Sequence, residues 1–496
     1  MQTVVVAFFI SITAVLVLTP LVRGAAMRFG ALDHALTSRK IHGRPVPRLG
    51  GVAIVVAFFL PIVALFFFDS GVGRLLWSQP QRALALILGG VAIAILGIYD
   101  DLKGTGARTK LAVQVLVATL MWWAGYRADT ISTPFGTFDL GLLGFPITLL
   151  WIVGVTNAVN LIDGLDGLAT GISLAATATI FWVSLNNQRP LMALFMACLG
   201  GALLGFLRYN FHPASIFMGD SGSLFVGFVL ASTALETHEK STTAVALLVP
   251  IVALGLPIGD TLLAMGRRAL RGQPVFTSDR GHIHHRLMAR GLSHRGTVLA
   301  LYGIAVVLGG VAVALYHSDA EQTIAYVGAL LAIAGMLLST AGYVRFDQTR
   351  QLFTDRKNNL AMRSVVRAAG EELRRAQNPE EIWAVVLGVF REFHACCASL
   401  TVVVRNGTTR TFTFSWGFEE APPDMLRVRF SLLGERPDEG RLEFGFSDGR
   451  RNMDRDTEIA IELLCEHVHA AVERIAAWAD EETAEPRKLR HLRPKG

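Results

Sequence analysis

Apolar runs of about twenty residues recur through the first two thirds of this chain, and no soluble fold has room to bury so many of them. About eleven such runs begin at roughly 3, 50, 81, 110, 145, 168, 190, 221, 242, 297 and 322, and the last ends near Tyr343. A segment of that length crosses the hydrocarbon layer as a helix, because only there can each backbone group find its partner within the segment. The pattern predicts an all-α polytopic membrane protein with about 11 transmembrane helices. Composition agrees, with 52% hydrophobic residues and a mean hydropathy of +0.44. Beyond Arg345 the chain turns polar and charge-rich, which predicts a soluble tail of ordinary domain size. The first run, 4–21, lacks a basic leader and is followed by Arg23 and Arg28, so an uncleaved anchor is expected.

The loops set the orientation. One side collects Arg23, Arg28, Arg39, Lys40, Arg44, Arg48, Lys103, Arg108 and Lys110, and later Arg267, Arg268, Arg271, Arg280, Arg286, Arg290 and Arg295. The other side holds little more than Arg74, Arg82, Arg127, Arg189 and Lys240. The positive-inside rule makes the first set cytoplasmic and leaves the N-terminus outside. An odd number of spans then returns the tail to the cytoplasm. The net charge of +6 is mainly this topological bias, and the nearly balanced tail gives no basis for nucleic-acid binding. Cys198, Cys396, Cys397 and Cys465 show no zinc-ligand spacing, and a cytoplasmic tail gives no expectation of disulfides.

Acids and histidines gather on the cytoplasmic side. Asp100 and Asp101 close the third run, and adjacent carboxylates repel unless a cation is near. Magnesium beside phosphates meets that need, although acids at a helix end are often simply solvated. In the stretch 157–167, Asn157, Asn160 and Asp163 would share one broad helical face, while Gly164 and Gly167 can end the helix around Asp166. The asparagines can equally hold helices together. Asp220 sits between Gly219 and Ser221, where either side chain can cap the next helix, or its free amides can face a phosphate.

The longest loop carries Arg280, His282, His284, His285 and Arg286, and forked guanidinium groups with imidazoles suit a diphosphate. Topology alone explains the arginines but not three histidines in four positions. Zinc is the rival there, but no cysteine joins the set. Lys40, Arg44 and Arg48 in the first loop can hold phosphates or merely fix topology. Asp260, an acid near the inner end of a span, can pair with an arginine or touch substrate.

These motifs closely resemble the polyprenyl-phosphate N-acetylhexosamine-1-phosphate transferases. The strings RKIHGRPVPRLGG, GIYDDLKG, NAVNLIDGLDGLATG, FMGDSGSL and PIGDTLLAMGRRALRGQPVFTSDRGHIHHRL follow one another in order within residues 1–345. The resemblance implies transfer of a sugar-1-phosphate from a UDP-sugar to undecaprenyl phosphate in the bilayer, with release of UMP. It implies Mg2+, with Mn2+ as a substitute, held by Asp220 and Asp101. Asp100, Asp101, Asp163, Asp166 and His282 match catalytic positions. Asn160 matches the loop that positions nucleotide and metal, and His282, His284 and His285 match the cytoplasmic histidine motif; Lys40, Arg44, Arg48, Asn157, Asn160, Asp260, Arg280, His284, His285 and Arg286 are the candidates to hold substrate. The sequence His-Ile-His-His, where the branch building cell-wall lipid I usually has three consecutive histidines, resembles the branch that initiates other envelope glycans, most often with N-acetylglucosamine.

The tail reads as helix, strands, helix. A linker helix is expected over 346–378, a GAF-like α/β domain over 379–480 and disorder over 481–496. Strand-like runs fall at 399–405, 411–416, 426–432 and 440–446, and a closing helix at 454–477. No ligand signature is evident, which favours pairing of two copies or a structural role. The rivals are the MurNAc-pentapeptide enzyme and, from other classes, a secondary transporter or a membrane-anchored sensor. A transporter's acids sit near the midplane, often with repeat symmetry. Here they crowd one edge.

Overall fold

The computed structural model describes residues 2–33, 46–65, 67, 71–133, 136–238, 248–270, 281–340, 349–406, 408–419, 425–432, 440–448, 453 and 455–484. The chain divides into two compact units, one formed by Met1–Arg267 with Phe276–Arg345, the other by Arg268–Val275 with Phe346–Gly496.

The first unit is helical. Its elements are α1 (Gln2–Arg28), β1 (Leu32–Asp33), β2 (Val46–Pro47), α2 (Gly50–Ala64), α3 (Gly71–Ser78), α4 (Pro80–Lys103), α5 (Ala107–Trp123), β3 (Thr130–Thr133), β4 (Gly136–Asp139), α6 (Gly144–Ile162), α7 (Leu168–Asn186) and α8 (Pro190–Asn210). There follow α9 (Gly219–His238), α10 (Leu248–Ala253), α11 (Gly255–Leu270), α12 (Ile283–Ala289), α13 (His294–Tyr316) and α14 (Ala320–Thr340). Where its residues are described, each apolar run falls on a helix. Residues 242–247 of the run expected from about 242 lie outside the described residues, and the rest is split into α10 and α11 at Leu254. Among the described residues, six helical stretches are long and apolar enough to cross a membrane: Gln2–Arg28, Pro80–Lys103, Gly141–Ile162, Leu168–Asn186, Pro190–Asn210 and His294–Tyr316. The unit is a polytopic membrane protein.

Local chemistry sets the helix ends. Pro80 and Pro190 open α4 and α8, where a missing amide costs nothing. Gly104, at φ +72°, stops α4, and its amide bonds to the Asp100 carbonyl at 2.8 Å. Ser293 caps α13 by accepting the Gly296 amide. α8 is apolar and buried on almost every side, as befits a helix surrounded by others; α1 and α7 pack on it, and α4 and α6 pack on α9. Near its far end α9 carries the buried Glu236, which pairs with Arg82 and with Arg189 at 3.0 Å. A carboxylate at that depth persists because two guanidinium groups meet it.

The second unit is a mixed α/β domain. It contains α15 (Thr349–Leu373), α16 (Pro379–Glu392), β5 (Cys397–Asn406), β6 (Thr408–Trp416), β7 (Leu426–Ser431), β8 (Gly440–Phe446) and α17 (Arg455–Ala484). The strands form an antiparallel sheet in the order β6-β5-β8-β7. Asn378 caps α16 through the Glu381 amide, and Glu381 reaches back to the amide of Gln377. Leu400, Val402, Leu442 and Phe444 of the sheet, Phe390 of α16 and Ile461, Leu464 and Val468 of α17 build one core. α17 continues to Ala484, so the chain is helical for four residues beyond 480, where disorder was expected. Residues 485–496 lie outside the described residues.

Candidate active site

The paired acids at the end of α4 have separate tasks. Asp101 accepts the backbone amide of Asp220 at 2.9 Å on one oxygen and that of Ser221 at 3.0 Å on the other. It therefore caps the N-terminus of α9 from a neighbouring helix. The amides that sequence reasoning offered to a phosphate are engaged by this carboxylate, and neither Asp220 nor Ser221 is the cap. The approach needs bare backbone on both sides: a side chain at Gly97 would run into the backbone of Asp220 and Ser221, and one at Gly219 (φ +68°) into the Arg48 carbonyl and Asp101 itself.

Asp100 points elsewhere. It accepts the Thr105 amide at 2.7 Å and the Lys110 ammonium at 2.7 Å. The same ammonium lies 2.7 Å from Asp220, whose other oxygen accepts the Asn160 side-chain amide at 3.0 Å. Lys110 thus bridges acids of α4 and α9. Sequence reasoning used Lys110 only for topology, yet the charge balance around paired acids was a signal for it. Asn160 also donates to Ser223 at 2.9 Å. Asn157 is turned away from this group, to Gln114 of α5 at 2.6 Å, and joins two helices.

The loop 163–167 is where the clusters meet. α6 ends at Ile162, and Gly167 in the left-handed region (φ +77°) starts α7. Burial, then the charges of Asp220, Asp101 and Asp166, push the Asp163 carboxyl up to about 8. The charges of Asp101, Asp163, Asp166 and Asp220 oppose one another, and Lys110 pairs with only Asp100 and Asp220 among the described residues, so a further cation would be favoured here. Hard, partly exposed carboxylate oxygens suit a magnesium ion, so the residues fit that ion.

Next in the loop, Gly164 faces the buried His284, whose Nε2 lies 2.8 Å from where a side chain at Gly164 would begin. Burial, with His285 beside it, drives the His284 pKa down to about 3, so this imidazole is neutral at working pH. Its ring nitrogens have no hydrogen-bond partner among the described residues. His282 pairs instead with Asp260: Nδ1 lies 2.8 Å from one carboxylate oxygen, and the Ile283 amide donates to the other at 2.9 Å. Asp260 therefore caps α12 and orients His282, and among the described residues no arginine pairs with it. His285 and Arg286 follow on α12, both partly exposed. Lys40, Arg44 and Arg280 lie outside the described residues.

Asp166 is buried and meets residues that sequence reasoning missed. Its Oδ2 lies 2.8 Å from His212 Nδ1 and accepts the Ala214 amide at 3.0 Å. His212 stacks on His294, with ring centroids 4.1 Å apart. The ligand atoms of Asp166, His212 and His294 all lie within 4.8 Å of one another, a set able to hold a divalent ion. These histidines stand alone in the sequence, at a loop and at a helix start, so no spacing announced them.

The acids of α4 and α9 thus meet the loop 163–167, and that loop meets the histidine helix, at one end of a membrane bundle. The sequence model of Glycosyl transferase family 4 matches residues 83–238, which contain all these acids except Asp260. The "Probable undecaprenyl-phosphate N-acetylglucosaminyl 1-phosphate transferase" of Bacillus subtilis (strain 168) is 40% identical over 346 residues, covering 69% of this chain and 94% of that protein. The chain belongs to glycosyl transferase family 4. Two further relatives share less of the sequence. The "Decaprenyl-phosphate N-acetylglucosaminephosphotransferase" of Mycobacterium tuberculosis (strain ATCC 25618 / H37Rv) is 33% identical over 341 residues, covering 64% of this chain and 83% of its own. The "Phospho-N-acetylmuramoyl-pentapeptide-transferase" of Clostridium novyi (strain NT) is 30% identical over 326 residues, 62% of this chain and 93% of its own.

Proposed function

We propose that the chain transfers N-acetylhexosamine-1-phosphate, with N-acetylglucosamine as the sugar, from a UDP-sugar to undecaprenyl phosphate, releasing UMP and starting a lipid-linked envelope glycan. The observation that carries this reading is Lys110 held between Asp100 and Asp220, at the end of a membrane-length helix in a family-4 chain. The relative named for N-acetylglucosaminyl transfer is 40% identical, against 30% for the pentapeptide enzyme, and the His-Ile-His-His pattern points the same way.

The reaction joins two anions. An oxygen of the lipid phosphate attacks the sugar-linked phosphorus of the UDP-sugar, the bond to the UMP oxygen breaks, and UMP leaves with that electron pair. A phosphate monoester loses its second proton at a pKa of about 6, so the nucleophile needs little help from a base. The burden is charge and alignment. Magnesium, held by Asp220 with Asp163 beside it, would neutralise the donor diphosphate and the leaving UMP. Asp101 holds the α9 amides and so fixes Asp220. Asp100 and Lys110 set the charge where the lipid phosphate enters, and His282, His285 and Arg286 face the donor.

We further assign about eleven spans, an outside N-terminus, and a cytoplasmic site and tail in a bacterial inner membrane. Residues 1–345 form the transferase domain, and 346–484 a GAF-like domain through which two copies pair; the helix expected to link the two packs instead in that domain's core through Val366, Ala369 and Leu373.

The test is UMP release by purified protein given undecaprenyl phosphate, magnesium and a panel of UDP-sugars. Lipid-dependent release with UDP-GlcNAc, and none with UDP-MurNAc-pentapeptide, is expected. Release with the pentapeptide donor alone would move the chain to the peptidoglycan branch, and silence from folded protein would overturn the reading.

A further inference from the structure

Three sulfur atoms meet at one end of the second unit's sheet. Cys396 immediately precedes β5, Cys397 opens it opposite Gly445 of β8, and Met425 immediately precedes β7. The Met425 Sδ lies 3.8 Å from Cys396 Sγ and 3.6 Å from Cys397 Sγ, and the two thiols interact with each other. A side chain at Gly445 would begin 2.7 Å from Cys397 Sγ and 2.8 Å from Met425 Sδ, so glycine there keeps the space beside the sulfurs clear. We propose that Cys396, Cys397 and Met425 form a binding site for a soft monovalent cation, Cu(I).

Spacing and donor type carry the assignment. Sulfur–metal bonds of about 2.3 Å set the ligand sulfurs of a trigonal or tetrahedral site about 3.8–4.0 Å apart. The two Met425 separations, 3.8 and 3.6 Å, reach that range with little movement. Two thiolates and a thioether are a soft donor set, and a thioether in place of a third thiolate or an imidazole favours Cu(I) over zinc. Cys396 is partly exposed and gives the ion an entry path, while Cys397 is fully buried. Arg427 and Glu443 both lie within electrostatic reach of Cys397, with opposite effects on a thiolate there. Binding forms two Cu–thiolate bonds and one Cu–thioether contact, releases the two thiol protons to solvent and changes no oxidation state.

A disulfide between the two cysteines is the poorer use of this geometry. Neighbouring Cα atoms across a trans peptide are about 3.8 Å apart, whereas disulfides need about 4.4–6.8 Å.

The experiment is an anaerobic titration of the full-length protein in detergent with Cu(I) buffered by bicinchoninate. Uptake of one ion per chain, with a thiolate-to-copper absorption band, is expected. Met425→Leu should weaken binding about tenfold and Cys396→Ser about a hundredfold or more, while Cys465→Ser should leave it unchanged. Met425→Leu conserves volume and Cys396 is partly exposed, so both variants should fold even if Cys397→Ser does not. Failure of the native protein to take Cu(I) from the competitor would overturn the proposal. So would unchanged affinity in the folded Cys396→Ser and Met425→Leu variants, or retention of zinc in preference to Cu(I).

Discussion

The Asp101 carboxylate accepts the backbone amide of Asp220 at 2.9 Å, so the acid that ends one membrane helix fixes the first turn of another. Asp101 and Asp220, alike in sequence, are thereby differently placed: Asp101 caps α9, while the Asp220 side chain meets Lys110 and Asn160. Asp101→Asn keeps one acceptor but loses the charge at the α9 N-terminus. It should cost about 1–2 kcal/mol of stability and, by loosening Asp220, reduce turnover as well. Asp220→Asn should leave thermal stability and membrane insertion near native while abolishing transfer. Thermal unfolding in detergent beside UMP release separates the two. Near-normal turnover by folded Asp220→Asn protein would defeat its metal role.

Lys110 stands 2.7 Å from Asp100 and 2.7 Å from Asp220, where it competes with any cation those carboxylates can hold. Replacing it with methionine removes a positive charge beside the proposed ion. Lys110→Met should therefore bind magnesium roughly tenfold more tightly, equivalent to about 1.4 kcal/mol, and yet turn over about a hundredfold more slowly, because the entering phosphate loses its ammonium. Lys110→Arg should recover part of the rate. A magnesium titration of UMP release for the three proteins checks this, and an unchanged or higher half-saturating magnesium concentration in Lys110→Met would contradict it.

The acids themselves were legible in the sequence because several of them gather at the ends of apolar runs on one side, where a single helix-end acid would be simply solvated. The helices were legible because hydrophobic length alone decides them. What each acid touches was not. Asp101 reaches Ser221 across 120 positions and Asn157 reaches Gln114 across 43, so helix packing decides which polar groups cap, bridge or remain for substrate. His212 and His294 were invisible for the same reason: each is a lone histidine until Asp166 stands beside it. Asp260 was legible as an anomaly, but its partner His282, 22 residues on, was not.

Two groups should give opposite pH slopes to stability. His284 is neutral in the fold, with a pKa near 3 against 6.5 unfolded, so between those values the unfolded chain binds the extra proton. Its contribution is present above about pH 6.5 and lost as pH falls toward about 3. Asp163 is the reverse, its carboxyl raised to about 8 from 3.8, so the fold holds the extra proton and loses stability as pH rises through that window. Magnesium that replaces the proton should cancel this loss. The rise in melting temperature on adding magnesium should grow from about pH 6 to about pH 8, and Asp163→Asn should flatten it. A magnesium shift independent of pH would remove Asp163 from the ion's surroundings.

Asp260 and His282 offer the last test. With Nδ1 2.8 Å from the Asp260 carboxylate, the His282 ring presents Nε2 as its remaining polar atom and is held in one orientation. In Asp260→Asn the side-chain amide can donate to Nδ1, which moves the ring proton to Nε2 and turns an acceptor into a donor. Turnover should fall by about ten- to a hundredfold, with the larger share in kcat and little change in KM for the UDP-sugar. His282→Asn should lose at least as much, and the double variant no more than His282→Asn alone, because the two residues act as one unit. Kinetics of UMP release on the two single variants and the double variant decide it. Additive losses would mean that Asp260 serves the reaction by some route other than His282.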